Sequence, residues 1–216
     1  MRDLRFKITG FILKVSVFKK FFITQYYLIY MQLPWNDPRS NKFSTTIGLI
    51  TSNGLNGQNI MACEWTHHLS YDPGLIAISL GPTKATVGNI RESKEFGVNL
   101  CANDQSVLSS VAGGYSGSKY NKIEAIKELG FQFYDASKIK TLMVKGASLN
   151  VECKLFQEIT LGDHIMFIGE VIDAKHNPEK KSLIYHDGKY WSLQSQIKPN
   201  QQERERIRKI VEKYKK

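Results

Sequence analysis

The strongest constraint on the fold of this 216-residue chain lies between residues 59 and 86. Residues 59–66 and 75–80 are two short runs rich in apolar and β-branched side chains, and Asp72-Pro73-Gly74 between them is a turn signature. The second run, Leu75-Ile76-Ala77-Ile78-Ser79-Leu80, is almost wholly apolar, as expected of a strand buried on both faces. It leaves through Gly81-Pro82 into Thr83-Lys84-Ala85-Thr86, where a helical pattern starts. A strand that feeds a helix start sets unpaired N–H groups and partial positive charge at its end, which suits an anion. Lys84 adds a full charge there, Thr83 or Thr86 a hydroxyl, and Ser79 sits just upstream.

Around that unit the chain alternates strands and short helices. Residues 44–51 and 58–65 read as strands about a turn at 53–57, 85–93 as a helix, and 96–100 as a strand. Residues 105–112 read as a helix ended by Gly113-Gly114. A polar loop at 115–122 leads into a helix that runs through Glu128 and closes at Gly130. Strands are expected at 147–157, 164–173, 183–185 and 190–191, with a solvated turn at 177–181. Residues 201–216 form a helix with Ile207, Ile210, Val211 and Tyr214 on one stripe, which calls for cover by the folded body or by a second subunit.

The net charge of +10 suggests a nucleic-acid partner until it is located. Residues 1–31 hold six basic and one acidic residue, and 201–216 hold seven and three, leaving 17 basic against 16 acidic residues for 32–200. A nearly neutral body argues against nucleic-acid binding, which needs basic residues clustered on the folded domain. Cys63, Cys101 and Cys153 are odd in number and far apart, with no C-x-x-C pair, so neither a disulfide scaffold nor a metal site is expected. They read as small buried side chains in a reducing cytoplasm. His67 and His68 are adjacent, so in a strand they point to opposite sides and cannot chelate one metal together. No dinucleotide fingerprint, Walker loop, nucleophile elbow or H-E-x-x-H motif is present. Residues 1–31 are basic and apolar; Lys14, Lys19 and Lys20 interrupt the apolar runs, and the longest nearly uncharged stretch is too short for stable membrane insertion. Two readings stay open for them: a non-native extension upstream of Met31, which would make residues 1–30 dispensable, or a peripheral amphipathic anchor.

Several ordered blocks together resemble one family. They are Asn59-x-Met61-Ala62-x-x-Trp65-Thr66, Asp72-Pro73-x-Leu75-Ile76-Ala77-Ile78-Ser79, Lys84-Ala85-Thr86-x-x-Asn89-Ile90-Arg91-Glu92-Ser93, Gly162-Asp163-His164, and Tyr185-His186-Asp187-Gly188-Lys189-Tyr190. Over residues 43–193 the chain is similar to the flavin reductase-like family. The resemblance implies a mainly β fold with α-helices: an FMN-binding split β-barrel of Greek-key type with peripheral helices over 32–200, flanked by the basic 1–31 extension and the basic amphipathic helix at 201–216.

The same resemblance implies an NAD(P)H-dependent flavin reductase that transfers hydride from NADH or NADPH to FMN, with a non-catalytic FMN-binding or electron-transfer protein as the alternative. A third reading, from the ends alone, is a basic-tailed binding module without flavin. The implied cofactor contacts are Asn59, Met61, Ala62, Cys63, Glu64, Trp65 and Thr66 along the flavin, mostly through main chain, and Ser79, Lys84, Ala85 and Thr86 at its phosphate. Trp65 could stack on the ring or fill the core. His164 and His186 are the candidates for a place beside the flavin or nicotinamide. Implied partners are a second copy in a homodimer and a monooxygenase or other electron acceptor. The loop 115–122 departs from the family's S-G-x-x-x-D-K-F at Asn121 and Ile123, and no role is assigned to it.

Overall fold

The computed structural model describes residues 37–198 and 200–215; the two readings of residues 1–31 lie outside them. Residues 37–43 form a separate small unit, a 3-10 turn at Ser40–Lys42 tied by the Ser40 N–H to the Asp37 carbonyl. From Ser44 onward the strands are β1 Thr45–Thr46, β2 Gly48–Ser52, β3 Asn59–Cys63, β4 Thr66–Tyr71, β5 Gly74–Leu80, β6 Glu95–Leu100, β7 Phe133–Asp135, β8 Leu142–Val144, β9 Leu149–Leu161, β10 His164–His176, β11 Leu183–His186 and β12 Lys189–Ser192. The helices are α1 Ala85–Ser93, α2 Ser106–Gly114, α3 Lys122–Glu128 and α4 Gln201–Glu212.

Seven strands form one antiparallel sheet in the order β3-β2-β6-β9-β10-β5-β4. Its two edge strands, β3 and β4, are joined by only Glu64 and Trp65, so the edges must lie near each other and the sheet must curl. The contacts agree. The Ser79 N–H donates to the Trp65 carbonyl at 3.0 Å, and a Cβ on Gly48 of β2 would sit 2.3 Å from Thr66 Oγ1 of β4. The sheet is not closed, and this arrangement fits a split barrel. A three-stranded sheet β1-β11-β12 and the β7-β8 pair complete it.

Burial on both faces of β2 explains its unbroken apolar sequence. Ile50 packs with Ile78, Ile90, Phe96 and Phe167 in a core beneath α1, whereas Leu49 packs with Ile60, Leu108 and Ile126 in a second core beneath α2 and α3. The expected strand at 44–51 breaks at Ile47, because β1 pairs with β11 and β2 with β3 and β6. Helix α2 runs through Gly113 and Gly114 instead of ending before them; a Cβ on Gly113 would lie 3.2 Å from the Ala62 Cβ, so the glycine lets the helix sit close on β3. Strands β9 and β10 reach 13 residues each, longer than expected, and turn over Gly162 at φ +60°. Strand β7 was not anticipated. Helix α4 has its capping box, Asn200 with Glu203, yet no residue of it is buried, so the folded body does not cover its apolar stripe.

One buried carboxylate orders a loop. Glu152 of β9 accepts the N–H groups of Ser137, Lys138 and Ile139 at 2.7, 2.6 and 3.2 Å, fixing the segment between β7 and β8.

Candidate active site

An edge strand leaves alternate backbone N–H and C=O groups unpaired. Strand β3 pairs only with β2, so its outer edge offers such groups along the split of the sheet. At about 3.3 Å per residue, the run from Asn59 to Glu64 is about 17 Å long.

Asn59, at the first position of β3, is buried and donates from Nδ2 to Thr86 Oγ1 at 2.9 Å, tying the strand to the first turn of α1. That turn has Lys84 as its N-cap, in extended conformation and with no side-chain cap. Its backbone donors are therefore not taken by a capping side chain, as an anion site requires. Lys84 itself is exposed. The loop after α2 comes down on the same place: a Cβ on Gly117 would lie 2.1 Å from Asn59 Oδ1, so only glycine allows this approach.

The loop brings a second cation that the sequence reading left out. Lys122, at the start of α3, is buried, and its Nζ donates to the Ala112 carbonyl at 2.9 Å. Burial first, and then the nearby charge of Lys84, push its ammonium down to about 8. Two ammonium groups within electrostatic reach, one of them buried, form a site short of negative charge. Asn121, where the family has Asp, caps α3 by accepting the Glu124 N–H. The signal that could have found Lys122 was the S-G-x-x-x-D-K-F resemblance, which keeps its lysine here.

At the other end of β3 stands a different chemistry. Glu64 is half-buried, and burial raises its carboxyl. Tyr185 of β11 is raised by burial and then by the charges of Glu64 and Tyr190. The Tyr190 hydroxyl reaches Ser109 and Ser110 of α2, both at 3.3 Å. Met61 and Ala62 between the two ends are partly buried, one against each core. The Cys63 thiol is buried, pushed up chiefly by burial, and bonds to the Trp65 and Ser79 carbonyls, so it is a packing group rather than a nucleophile. Burial holds Cys101 and Cys153 at about 12. Thr66 is buried, its Oγ1 donating to the Cys63 carbonyl.

Trp65 is 45% exposed, which corrects the core alternative for it. Its ring lies 4.5 Å from that of His164, centroid to centroid, and His164 Nδ1 is 2.7 Å from Asp163. His186 has other partners: its Nδ1 is 2.9 Å from Ser44 Oγ, and its carbonyl accepts Trp191 Nε1. The two histidines thus belong to different clusters. Ser79 and Ala85 are half-buried near the ends of β5 and α1, and Thr86 is buried with its hydroxyl accepting from Asn59. His67 and His68 are both exposed on edge strand β4. Among the described residues, no three His, Cys, Asp or Glu side chains come together as a metal cluster.

Known proteins share this architecture. A protein of Archaeoglobus fulgidus without assigned function is 32% identical over 138 residues, covering 63% of this chain and 72% of its own. The NADH-dependent FMN reductase AsuE2 of Streptomyces nodosus subsp. asukaensis is 31% identical over 127 residues, covering 58% and 65%. BorF, the flavin reductase component of a bacterial two-component tryptophan halogenase, superposes with a TM-score of 0.65 at 22% identity, over 74% of this chain and 96% of that one. The flavin reductase like domain matches residues 40–194. With the domain match spanning most of the chain, the chain belongs to the flavin reductase-like family.

Proposed function

We infer that this protein is an FMN reductase that oxidises NADH. The observation that carries this reading is the pair Lys84 and Lys122 at the uncapped start of α1, closed by Asn59 and Gly117, at one end of an open strand edge. These residues fit FMN: the two ammonium groups and the α1 backbone take the phosphate, and the outer edge of residues 59–66 takes the polar rim of the flavin ring. Thr86 acts through Asn59, holding it beside the phosphate, and Ser79 and Ala85 line the same end. When bound, FMN supplies the hydride acceptor and NADH the donor; the chain supplies orientation and electrostatics. Exposed Trp65 and half-buried His164 form the aromatic pair against which the ring or the nicotinamide rests, with Asp163 orienting the imidazole. His186 holds the β1–β11 junction through Ser44.

Mixing the protein with FMN and NADH should give steady loss of nicotinamide absorbance, with reduced flavin as product. Flavin bound without NADH oxidation would favour a non-catalytic carrier, and no flavin binding would remove both readings.

Reduced flavin has to be consumed, and a flavin-using monooxygenase or halogenase is the partner class supported by the reductase components among its relatives. We also infer a homodimer. Edge strand β4 carries exposed His67, His68, Leu69 and Tyr71, and Phe156 and Leu161 of β9 are exposed on the same sheet. An open edge with large apolar side chains calls for cover, and a second copy supplies it through the commonest symmetry. Light scattering should return the mass of two chains at micromolar concentration; one chain with flavin bound would refute the dimer. Among the described residues no helix is long and apolar enough to cross a membrane.

A further inference from the structure

The last helix, α4, presents an apolar stripe that is not buried among the described residues. Ile207 is 54% exposed, Ile210 44%, Val211 63% and Tyr214, in the turn that follows, 79%. Residues 193–198 before it are exposed and have no regular structure.

The placement of charge around the stripe is informative. At about 100° per residue, Arg204 and Arg208 border it on one side and Arg206 and Lys213 on the other, while Glu205 and Glu212 lie opposite. The remaining acid, Glu203, is engaged in the capping box with Asn200. Four cations thus sit at the rim of the apolar face, Glu205 and Glu212 lie with Lys209 on the side turned away, and Glu203, which falls on the stripe's side in the first turn, is tied into the cap. That order matches a bilayer surface: apolar side chains enter the acyl boundary, long basic side chains reach the phosphates from both flanks, and acids stay in water. At 12 residues the helix is about 18 Å long, too short to span and long enough to lie flat. A second copy of the helix is the poorer occupant. Residues 201–215 hold six basic and three acidic side chains, so self-pairing sets net positive charge against itself.

We propose that α4 is a peripheral membrane-binding helix that docks on anionic lipid. The proposal is independent of the flavin site. The test is flotation of the full chain with vesicles of phosphatidylcholine alone or with about a third phosphatidylglycerol, at low and high salt, for wild type and for Ile210→Asp/Val211→Asp. Wild type should bind the anionic vesicles only and release at high salt, and the double variant should lose at least about ten-fold in binding while keeping its melting temperature. Because residues 1–31 are also basic and apolar, equal binding by the variant would overturn the proposal, as would no binding by wild type. Two further outcomes would also overturn it: a drop from two chains to one in the variant, which would assign the stripe to a subunit interface, or salt-sensitive capture on polyglutamate with no vesicle binding, which would assign it to an acidic protein.

Discussion

Replacing Lys122 with Met should weaken FMN by about ten- to a hundred-fold and at the same time raise the melting temperature of the flavin-free protein. The first effect is the loss of one charge-assisted contact to phosphate, worth about 1.5–3 kcal/mol. The second follows from burial of an ammonium group without a counter-ion. Lys122 falls from 10.5 to about 8 on folding, a depressed lysine, so between those values the unfolded chain binds more protons and stability rises with pH. Below about 8 the penalty is present in full, on the order of 3 kcal/mol. Met removes it but leaves the Ala112 carbonyl without its donor, so the net gain is about 1–2 kcal/mol, a shift of about 4 °C. The same titration gives FMN affinity its pH dependence. Affinity should fall as pH rises through about 8 and Lys122 discharges, whereas riboflavin, which lacks the phosphate, should show no such fall. Calorimetric melts with and without flavin, and fluorescence titrations from pH 7 to 10, read out both. A variant that lost stability and FMN alike would show that Lys122 serves packing alone.

Glu152→Gln should destabilise the domain strongly. The carboxylate accepts three backbone N–H groups from a buried position on the central strand β9. An amide keeps one acceptor oxygen and turns its NH2 toward a backbone donor. Losing charge-assisted bonds and leaving buried donors unpaired costs about 3 kcal/mol, or about 6–12 °C for a domain of this size. A melt unchanged within a degree or two would mean the 137–139 loop is held by other contacts.

Much of this was legible in the chain. The runs at 75–80, 85–93 and 96–100 announce β5, α1 and β6 because each carries a clean period and a clear stop signal, and the uncapped helix start at Lys84 could be placed from Gly81-Pro82 alone. What escaped was set by distant neighbours. Gly113 reads as a helix stop, yet the helix continues and packs there against distant Ala62, where a larger residue would be a tight fit. Trp65 reads equally as core or ring partner until the two-residue link between edge strands is seen to leave it exposed beside His164. Lys122 looks like one more surface lysine in a basic chain; only the fold that carries α3 beneath α2 and toward Lys84 makes it a buried cation. His164 and His186 each read as a candidate for a place beside the flavin or nicotinamide, and the fold sets them apart because β10 and β11 belong to different sheets.

The central claim is that the phosphate of FMN sits where β5 gives way to α1. Lys84→Ala tests it most directly, because this side chain is exposed and makes no side-chain cap in the fold that its loss would break, and the proposed site has it meet FMN only at the phosphate. FMN and riboflavin are titrated into wild type and variant under the same conditions. The account predicts that FMN weakens by about ten- to a hundred-fold and that riboflavin binds unchanged. An equal loss for both flavins, or no loss for either, would contradict it and place the phosphate elsewhere.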